Sequence, residues 1–477
     1  MFQRPISQGL KVFALVWFGQ VISLLGSGLT GFALGLWVYE VTKSVTPYAL
    51  VYVFNELPGI LVSPLAGAFA DRWNRRWLMI ISDAGAGLST LSIIMAIWIY
   101  GDQIWTNNSW LIYFAIGICS ACKGFQWPAY SAAITQLVPK KHFGRASGMI
   151  QVPYAVAQLL SPVLASILIT TINIQGIVFI DFVTFFVSIW TLTVVRFPHH
   201  QLSGSTPAKT NSLLGDSVYG LTYIIAKPGL LALTIFLTFT NFTAGIAQVL
   251  ITPLVLSFAP DALSLILSLG AIAMMSGILL MSVWGGPKNR VYGILGFELL
   301  LGISIFLAGF RPSVELIAVT SFCALFSIPM ISGANLAIWQ TKVPPEIQGR
   351  VFAVRGMITW ASFPLAYLAA GPLSDKIFNP LLTADGILAS SIGQIIGVGP
   401  NRGIGLLFII LGLITITLTI QGWKNPGLIM IEKEMPEVIS DEPNIKIEKI
   451  TKNPDNPPDK EIDKINKEID NNSDNNL

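Results

Sequence analysis

The sequence predicts an all-α membrane protein with twelve transmembrane helices in two six-helix bundles. Three observations carry this reading: the apolar content, the regular recurrence of long apolar runs, and a partial repeat of the first half in the second. Of the 477 residues, 53% are hydrophobic and 12% charged, with a mean hydropathy of +0.66, far from the balance of a water-soluble domain. A membrane-crossing helix needs about 20 mostly apolar residues. Runs of that kind begin near Val12, Tyr48, Trp77, Trp110, Ala146, Ile177, Leu230, Leu263, Tyr292, Val314, Val351 and Gly403. Pro153, Pro162, Pro329 and Pro364 fall inside such runs, and a bundle tolerates them because neighbouring helices satisfy the freed backbone groups. The first run is far longer than a signal-peptide core and lacks a small-residue cleavage site, so it reads as an uncleaved first span.

The formal charge of +3 conceals a segregation: 13 of the 26 acidic residues lie after Lys424, where only 7 of the 29 Lys and Arg are found. The basic residues of the body occupy short connections between apolar runs, a pattern that sets membrane orientation and implies no nucleic-acid partner. With the N-terminus in the cytoplasm, Arg4, Lys11, Arg72, Arg75, Arg76, Lys140, Lys141, Arg145, Arg196, Lys209, Lys227, Lys288, Arg290, Lys342, Arg350 and Arg355 share the cytoplasmic side. The opposite side receives Lys43, Arg311, Lys376 and Arg402. Both termini are therefore expected in the cytoplasm.

The longest cytoplasmic connection divides the chain into an N-terminal bundle (1–196), a linker (197–228), a C-terminal bundle (229–424) and a tail (425–477). The linker opens with polar HHQLSGSTPAKTNS and continues with amphipathic LLGDSVYGLTYIIAKPG. That second part predicts a helix in the headgroup plane that tethers the bundles. The outer connection 374–402 is rich in Gly and apolar residues, as expected of a packed lid or re-entrant piece. The tail is built of Lys, Glu, Asp, Asn and Pro, cannot bury a core, and is expected to be disordered.

The halves repeat. QLVPKKHFGR after the fourth run and QTKVPPEIQGR after the tenth place Pro139, Gly144 and Arg145 against Pro344, Gly349 and Arg350. WNRR at 73–76 likewise has a degenerate partner, PKNR, at 287–290. Two six-span halves in parallel repeat form a transporter architecture, with the substrate site between them. The sharpest motif is GAFADRWNRR, carrying Gly67, Asp71, Arg72, Arg75 and Arg76 in the connection after the second run. A tight turn needs a small residue where the helices cross, the arginines anchor the membrane edge, and an Asp there caps a helix or pairs with Arg.

This motif resembles the G-x-x-x-D-R-x-x-R-R/K signature of the major facilitator superfamily. With LLGSGLTGFALGLWVYEVTKS, NELPGILVSPLAGAFADR, VFIDFVTFFVS and the two P-x-x-x-x-G-R connections, the span region is similar to the exporter group that contains macrolide and enterobactin efflux proteins. The resemblance implies the major facilitator fold and proton-coupled efflux of a small amphipathic compound, drug-like, macrolide-like or siderophore-like, by alternating access in a bacterial cytoplasmic (inner) membrane. The implied partners are the small-molecule substrate, protons and the lipid bilayer. Facilitators and lysophospholipid transporters share the fold, so a transporter without proton antiport stays open as the alternative. The arginine motif that many proton antiporters carry in the fourth span is not plainly present here; Lys123 in CSACKGFQWP stands near its place.

Acids at bilayer depth are functional candidates, because an ionised carboxylate there is costly unless paired. Glu56, mid-way along the second span beside Asn55, is the first choice for a proton carrier that loads and releases as access alternates. Asp83, two turns into the third span, is expected to join Asp71, Arg75 and Arg355 in a gating charge cluster, and is a second proton-coupling candidate. Asp181, in the sixth span, is the third; it and Glu298, in the ninth, are read chiefly as packing. Lys123 is expected to face a cavity or pair with an acid. Gln20, Asn55, Lys123, Gln126, Gln151, Asn241, Gln248 and Asn335 are the expected polar lining of a central cavity, with aromatics such as Trp127, Tyr154, Phe242 and Trp360.

Other readings fall away. Gly31 and Gly35 in the first span are expected to pack within the bundle and not to form a dimer face, so a monomer is expected. Cys119, Cys122 and Cys323 lie in apolar runs, and one C-x-x-C without a second pair marks neither a zinc site nor a disulfide framework. His142, His199 and His200 all lie in connections, and no phosphate-cradling glycine loop or nucleophile–base pair is present. An enzyme is therefore not expected, nor is a metal or cofactor.

Overall fold

The computed structural model describes residues 6–137, 143–195, 213–399, 401–429 and 431. The polar first part of the linker and the tail beyond residue 431 lie outside the described residues; the first tail residues depart from the disorder expected of them, with a helical turn Pro426–Ile429 and with Leu428 and Ile431 buried in the core, Ile431 against Gly229. Twelve long helical segments and one amphipathic helix make up the fold. The first three are α1 (Ile6–Thr42), α2 (Val45–Arg72) and α3 (Arg75–Tyr100), followed by α4 (Ser109–Leu137). A helical stretch Phe143–Val194 then breaks at Asn173, which takes a φ of 56° and a ψ of 178°, far from the helical values of its neighbours. Unbroken, those 52 residues would run about 78 Å, more than twice the hydrocarbon thickness of a bilayer. Ser161 and Asp181, on opposite sides of the break, both hydrogen-bond the middle of α1, to Leu25 and from Ser27. The stretch is thus a hairpin of two crossings, α5 (143–172) and α6 (174–194).

The second half comprises α7 (Leu213–Ala226), α8 (Pro228–Leu256), α9 (Leu263–Trp284), α10 (Arg290–Ala308), α11 (Val314–Lys342), α12 (Pro345–Pro372) and α13 (Arg402–Lys424). Among the described residues ten segments are long and apolar enough to cross a membrane. Counting α5 and α6 separately and adding the 29-residue α4 gives the twelve crossings that the sequence predicts.

Each half is a bundle. In the first, α1 packs on the α5–α6 hairpin, and α4 packs on α2 and α3; in the second, α8 packs on α12, and α10 on α11 and α13. Small residues set the close crossings. A Cβ on Gly124 of α4 would stand 2.7 Å from the Gly59 carbonyl oxygen of α2, so those two backbones touch. Gly35 of α1 faces Tyr48 and Tyr52 of α2 within the same bundle.

The molecule has two ends, here called the arginine end, at the α2–α3 turn, and the far end, at the α1–α2 turn. Exposed Trp73, Trp77 and Trp284 ring the arginine end, and Trp98 and Trp110 ring the far end. Trp77 and Trp98 open and close α3, about 32 Å apart along a straight helix, which matches the hydrocarbon core with tryptophans at both interfaces.

The amphipathic helix α7 lies against α12: Ile224 is fully buried, Gly220 abuts the Arg350 backbone, and the Arg350 guanidinium lies over the Tyr219 ring at 5.7 Å. The far-end connection is packed as its composition predicts. Leu382 and Ile396 bury against Leu406, and the Arg402 guanidinium donates to the carbonyls of Ile396 and Phe310.

Candidate functional site: a cleft between the halves

The halves are joined at the far end. The Tyr39 hydroxyl of α1 donates to the Pro253 carbonyl of α8 at 3.3 Å and accepts from the Asn401 amide at 2.6 Å. Asp375, just past α12, accepts four hydrogen bonds from residues 44–46 at the start of α2. Beneath them runs an aromatic chain: Tyr39 meets Tyr48 at 6.0 Å, Tyr48 meets Tyr52 at 5.2 Å, and Tyr52 crosses to Tyr367 of α12 at 5.8 Å. Tyr48, Tyr367 and their apolar neighbours belong to one buried cluster that spans both halves.

Towards the arginine end α2 and α12 no longer cover each other. Glu56 on α2 and Trp360 on α12, on the same helix faces as Tyr52 and Tyr367, are exposed. The two helices run antiparallel, in contact from Thr46 and Gly371 to Tyr52 and Tyr367. The result is a cleft between the halves, open at the arginine end and roofed by tyrosines.

Glu56 sits one helical turn below Tyr52, at the roof of this cleft, in electrostatic contact with Tyr367. Its side chain is exposed although protein atoms crowd around it, a combination that a concave wall produces and a lipid-facing surface does not. Among the described residues its one hydrogen bond is a weak 3.5 Å contact from the neighbouring Asn55 amide. Half-buried Lys123 on α4 interacts electrostatically with Glu56 and also with Asp83 and Asp181. One cation therefore faces one cleft acid and two acids of the bundle interior. Trp127 and Tyr154, with rings 4.7 Å apart, stand on α4 and α5, and Tyr154 interacts with Asp83.

The other intramembrane acids differ from Glu56 in kind. Asp83 is 1% exposed and accepts from Gln126 at 2.6 Å and Ser188 at 2.8 Å. Gln126 also donates to Gln20, which donates to Ser188, closing a polar ring inside the first bundle. This corrects two expectations. Gln20 and Gln126 belong to the bundle interior, 2% and 6% exposed, not to the cavity lining. Asp83 shares the buried face of α3 with Met79, Ala86 and Thr90, so it points away from a gate. Its expected partner Arg355 instead lies over the Trp339 ring at 5.0 Å, in the other half. Asp181, also 1% exposed, accepts from Ser27 at 3.1 Å and Thr90 at 3.3 Å. Glu298 is the second bundle's buried acid: one oxygen accepts from Thr240 at 3.1 Å, and the other has no partner among the described residues.

A twelve-helix body of two bundles with a polar cleft between them is matched by comparison with known proteins. The family model of the Major Facilitator Superfamily matches residues 16–367. The chain belongs to the major facilitator superfamily. It is 24% identical over 375 residues to Macrolide efflux protein A of Streptococcus pyogenes, covering 76% of this chain and 90% of the relative. It is 24% identical over 371 residues to the Multidrug efflux pump Tap of Mycolicibacterium fortuitum, covering 76% and 88%. Among solved structures, a bacterial homologue of the human lysosomal transporter Spinster, in an inward-facing and unoccupied conformation, superposes with a TM-score of 0.67 at 13% identity. That match covers 92% of this chain and all of that one. The protein is thus a multi-pass membrane transporter of this superfamily.

The superfamily signature has a readable structural role where its side chains are described. Asn74 caps α3 by accepting from the Arg76 backbone amide at 3.0 Å. The Arg76 guanidinium donates to the Leu192 carbonyl at 2.8 Å and the Thr193 carbonyl at 2.6 Å, filling the orphan acceptors at the C-terminus of α6. In the repeat, Arg290 reaches the last turns of α11, donating to the Ala337 carbonyl at 3.3 Å and the Thr341 hydroxyl at 3.1 Å. Arg75 is half-buried. The side chains of Asp71, Arg72 and Gln151, and the surroundings of Gly67, lie outside the described residues. Of the remaining lining candidates, Asn241 is half-buried and Gln248 exposed on α8. Asn335 is 8% exposed and accepts from the Trp339 indole at 3.1 Å. The tyrosine roof and Asp375 escaped the sequence reading. The roof had a signal in Tyr48-x-x-x-Tyr52, an i, i+4 pair that one face of a helix presents together.

Proposed function

We propose that this transporter exports small amphipathic compounds in exchange for protons, with Glu56 as the proton carrier. The observation that carries the reading is the difference among the acids at bilayer depth. Asp83, Asp181 and Glu298 are 1–2% exposed and held by hydroxyls or amides, whereas Glu56 faces the cleft with one weak hydrogen bond. A carrier must meet both proton and substrate, and Glu56 stands where both can reach it. Lys123 nearby supplies a cation that a charged Glu56 can pair with and a protonated one releases. The aromatic walls of Trp127, Tyr154, Tyr52 and Tyr367 suit an apolar body with a polar tip. The efflux functions of the two relatives support the direction of transport.

In this reading the basic arginine end is cytoplasmic, both termini lie in the cytoplasm of the inner membrane, and the cleft is open inward. Residues 1–196 and 229–424 rock as two bundles of one monomer about the tethering linker 197–228. The test is flux in proteoliposomes loaded with a macrolide or a cationic dye, with and without an imposed pH gradient. Accumulation that follows the gradient supports antiport. Flux that only equilibrates the compound and ignores the gradient makes the protein a facilitator.

A further inference from the structure

Asp375 is an acid that the cleft chemistry does not use, yet it holds the densest set of hydrogen bonds between the halves. Its Oδ2 accepts from Ser44 Oγ at 2.6 Å, the Thr46 backbone amide at 2.8 Å and Thr46 Oγ1 at 2.8 Å, and its Oδ1 accepts from the Val45 backbone amide at 3.1 Å. The first amides of a helix have no partner within it, and the N-terminus carries partial positive charge. Ser44, the N-cap residue of α2, makes no side-chain cap to its own helix. The cap comes instead from the other half, as a carboxylate. One turn earlier on α12, a Cβ on Gly371 would lie 2.6 Å from the Thr46 Cα, so the approach that delivers Asp375 requires glycine.

The sequence of this element repeats the signature in an unexpected place. Gly371-Pro-Leu-Ser-Asp375-Lys376 ends α12 as Gly67-Ala-Phe-Ala-Asp71-Arg72 ends α2: glycine, three residues, aspartate, base. One lies at the arginine end and the other at the far end, each at the close of one of the two helices that flank the cleft.

We propose that Gly371 and Asp375 form a far-end latch, a carboxylate of one half clamped on the N-terminus of α2 in the other, which holds the far end shut while the cleft is open at the arginine end. The inference rests on the alternating-access reading above. When the halves part at the far end, all four hydrogen bonds break together, because donors and acceptor belong to different halves. The latch thus acts as a single switch that biases the equilibrium between the two access states, and it touches no residue of the cleft.

The experiment measures the equilibrium directly. Spin labels at Gln103→Cys and Arg311→Cys, exposed positions near the far end of the two halves, are placed in a background without Cys119, Cys122 and Cys323, and the distance distribution is recorded in lipid nanodiscs. Asp375→Asn, which keeps size but loses the charge, and Gly371→Val are each expected to raise the population with a widened far end about tenfold, equivalent to ~1.4 kcal/mol. Asp385→Asn, an exposed acid of the same connection, leaves the distribution at the wild-type value. If Asp375→Asn fails to insert or melts early, the double variant Ser44→Ala, Thr46→Val removes two of the four donors and gives the same readout. A well-folded Asp375→Asn or donor variant with an unchanged distribution overturns the latch. Because the readout is a distance and not a flux, a widened far end without pH-driven transport retains the latch and removes the export reading alone.

Discussion

Tyr52 on α2 and Tyr367 on α12 meet edge to face, with ring centroids 5.8 Å apart and planes inclined by 62°, and through them the two halves share one aromatic roof above Glu56. An edge-to-face pair adds about 0.5–1.5 kcal/mol beyond its buried area. Tyr367→Leu is therefore expected to loosen the closed far end, shifting the access equilibrium by about 2- to 10-fold, while Tyr367→Phe, which keeps the ring, stays near wild type. The check is the rate at which a membrane-impermeant maleimide added at the far end labels a cysteine at Thr252, a buried residue beside Tyr48. A Tyr367→Leu rate equal to wild type would sink the idea of a roof.

Asp83 is predicted to be a stability residue and not a carrier. Its carboxylate is the common acceptor for Gln126 and Ser188, and removing it strands two buried donors at a cost of about 1–3 kcal/mol. Asp83→Leu should lower the thermal midpoint in detergent by several degrees, with Asp83→Asn intermediate, and the molecules that fold should retain gradient-driven flux. A variant of wild-type stability that has lost only its pH response would return Asp83 to the list of carriers.

Glu298 carries the opposite prediction. One of its oxygens is buried without a partner, and its single donor, Thr240, has the Leu237 carbonyl as a second acceptor at 3.3 Å. An apolar side chain of like length removes an uncompensated polar group and leaves that hydroxyl satisfied. Glu298→Met should hold or raise the thermal midpoint, by about 1 kcal/mol at most. A clear drop in midpoint would mean that the free oxygen does structural work.

The fold was legible because a bilayer leaves little choice: spans must be long, apolar and helical, and those rules read directly off runs such as Val314–Lys342. The site was legible only in part. A lone Glu56 in an apolar run announces itself, since charge at that depth is rare. Which way Gln20, Gln126 and Asp83 point was not readable, because at helical spacing a polar side chain serves the bundle interior as well as a cavity, and their mutual hydrogen bonds join residues 43 to 168 positions apart. Asp375 was passed over for a related reason: beside a solvent-facing connection an acid looks unremarkable until the α2 N-terminus of the other half is seen against it.

Orientation is open to a direct test. The basic residues cluster at the arginine end, which the positive-inside tendency places in the cytoplasm. In intact cells, an impermeant thiol reagent should reach Asp385→Cys and not Lys209→Cys. The reverse pattern would invert the topology and turn the inward-open cleft outward.

The prediction on which the proposed function stands concerns Glu56. It lines the cleft beneath the tyrosine roof, within the field of Lys123, and an ionised carboxylate at this depth is costly unless it is paired or protonated. During antiport, proton and substrate must compete for one group, so that loading one expels the other. Glu56→Gln keeps the size and the hydrogen-bonding capacity but cannot exchange a proton. It should abolish accumulation against a gradient, a loss of at least about 100-fold in the steady-state ratio for a step that a positioned carboxyl group serves, while downhill flux stays measurable. Its thermal midpoint should match wild type, because Glu56 makes one weak hydrogen bond and stranding Asn55 costs little. Glu56→Asp, which shortens the arm but keeps the proton, should restore part of the coupled transport. Wild-type accumulation by Glu56→Gln at every pH would move the carrier elsewhere, to Asp181 first, since Lys123 interacts with it as well.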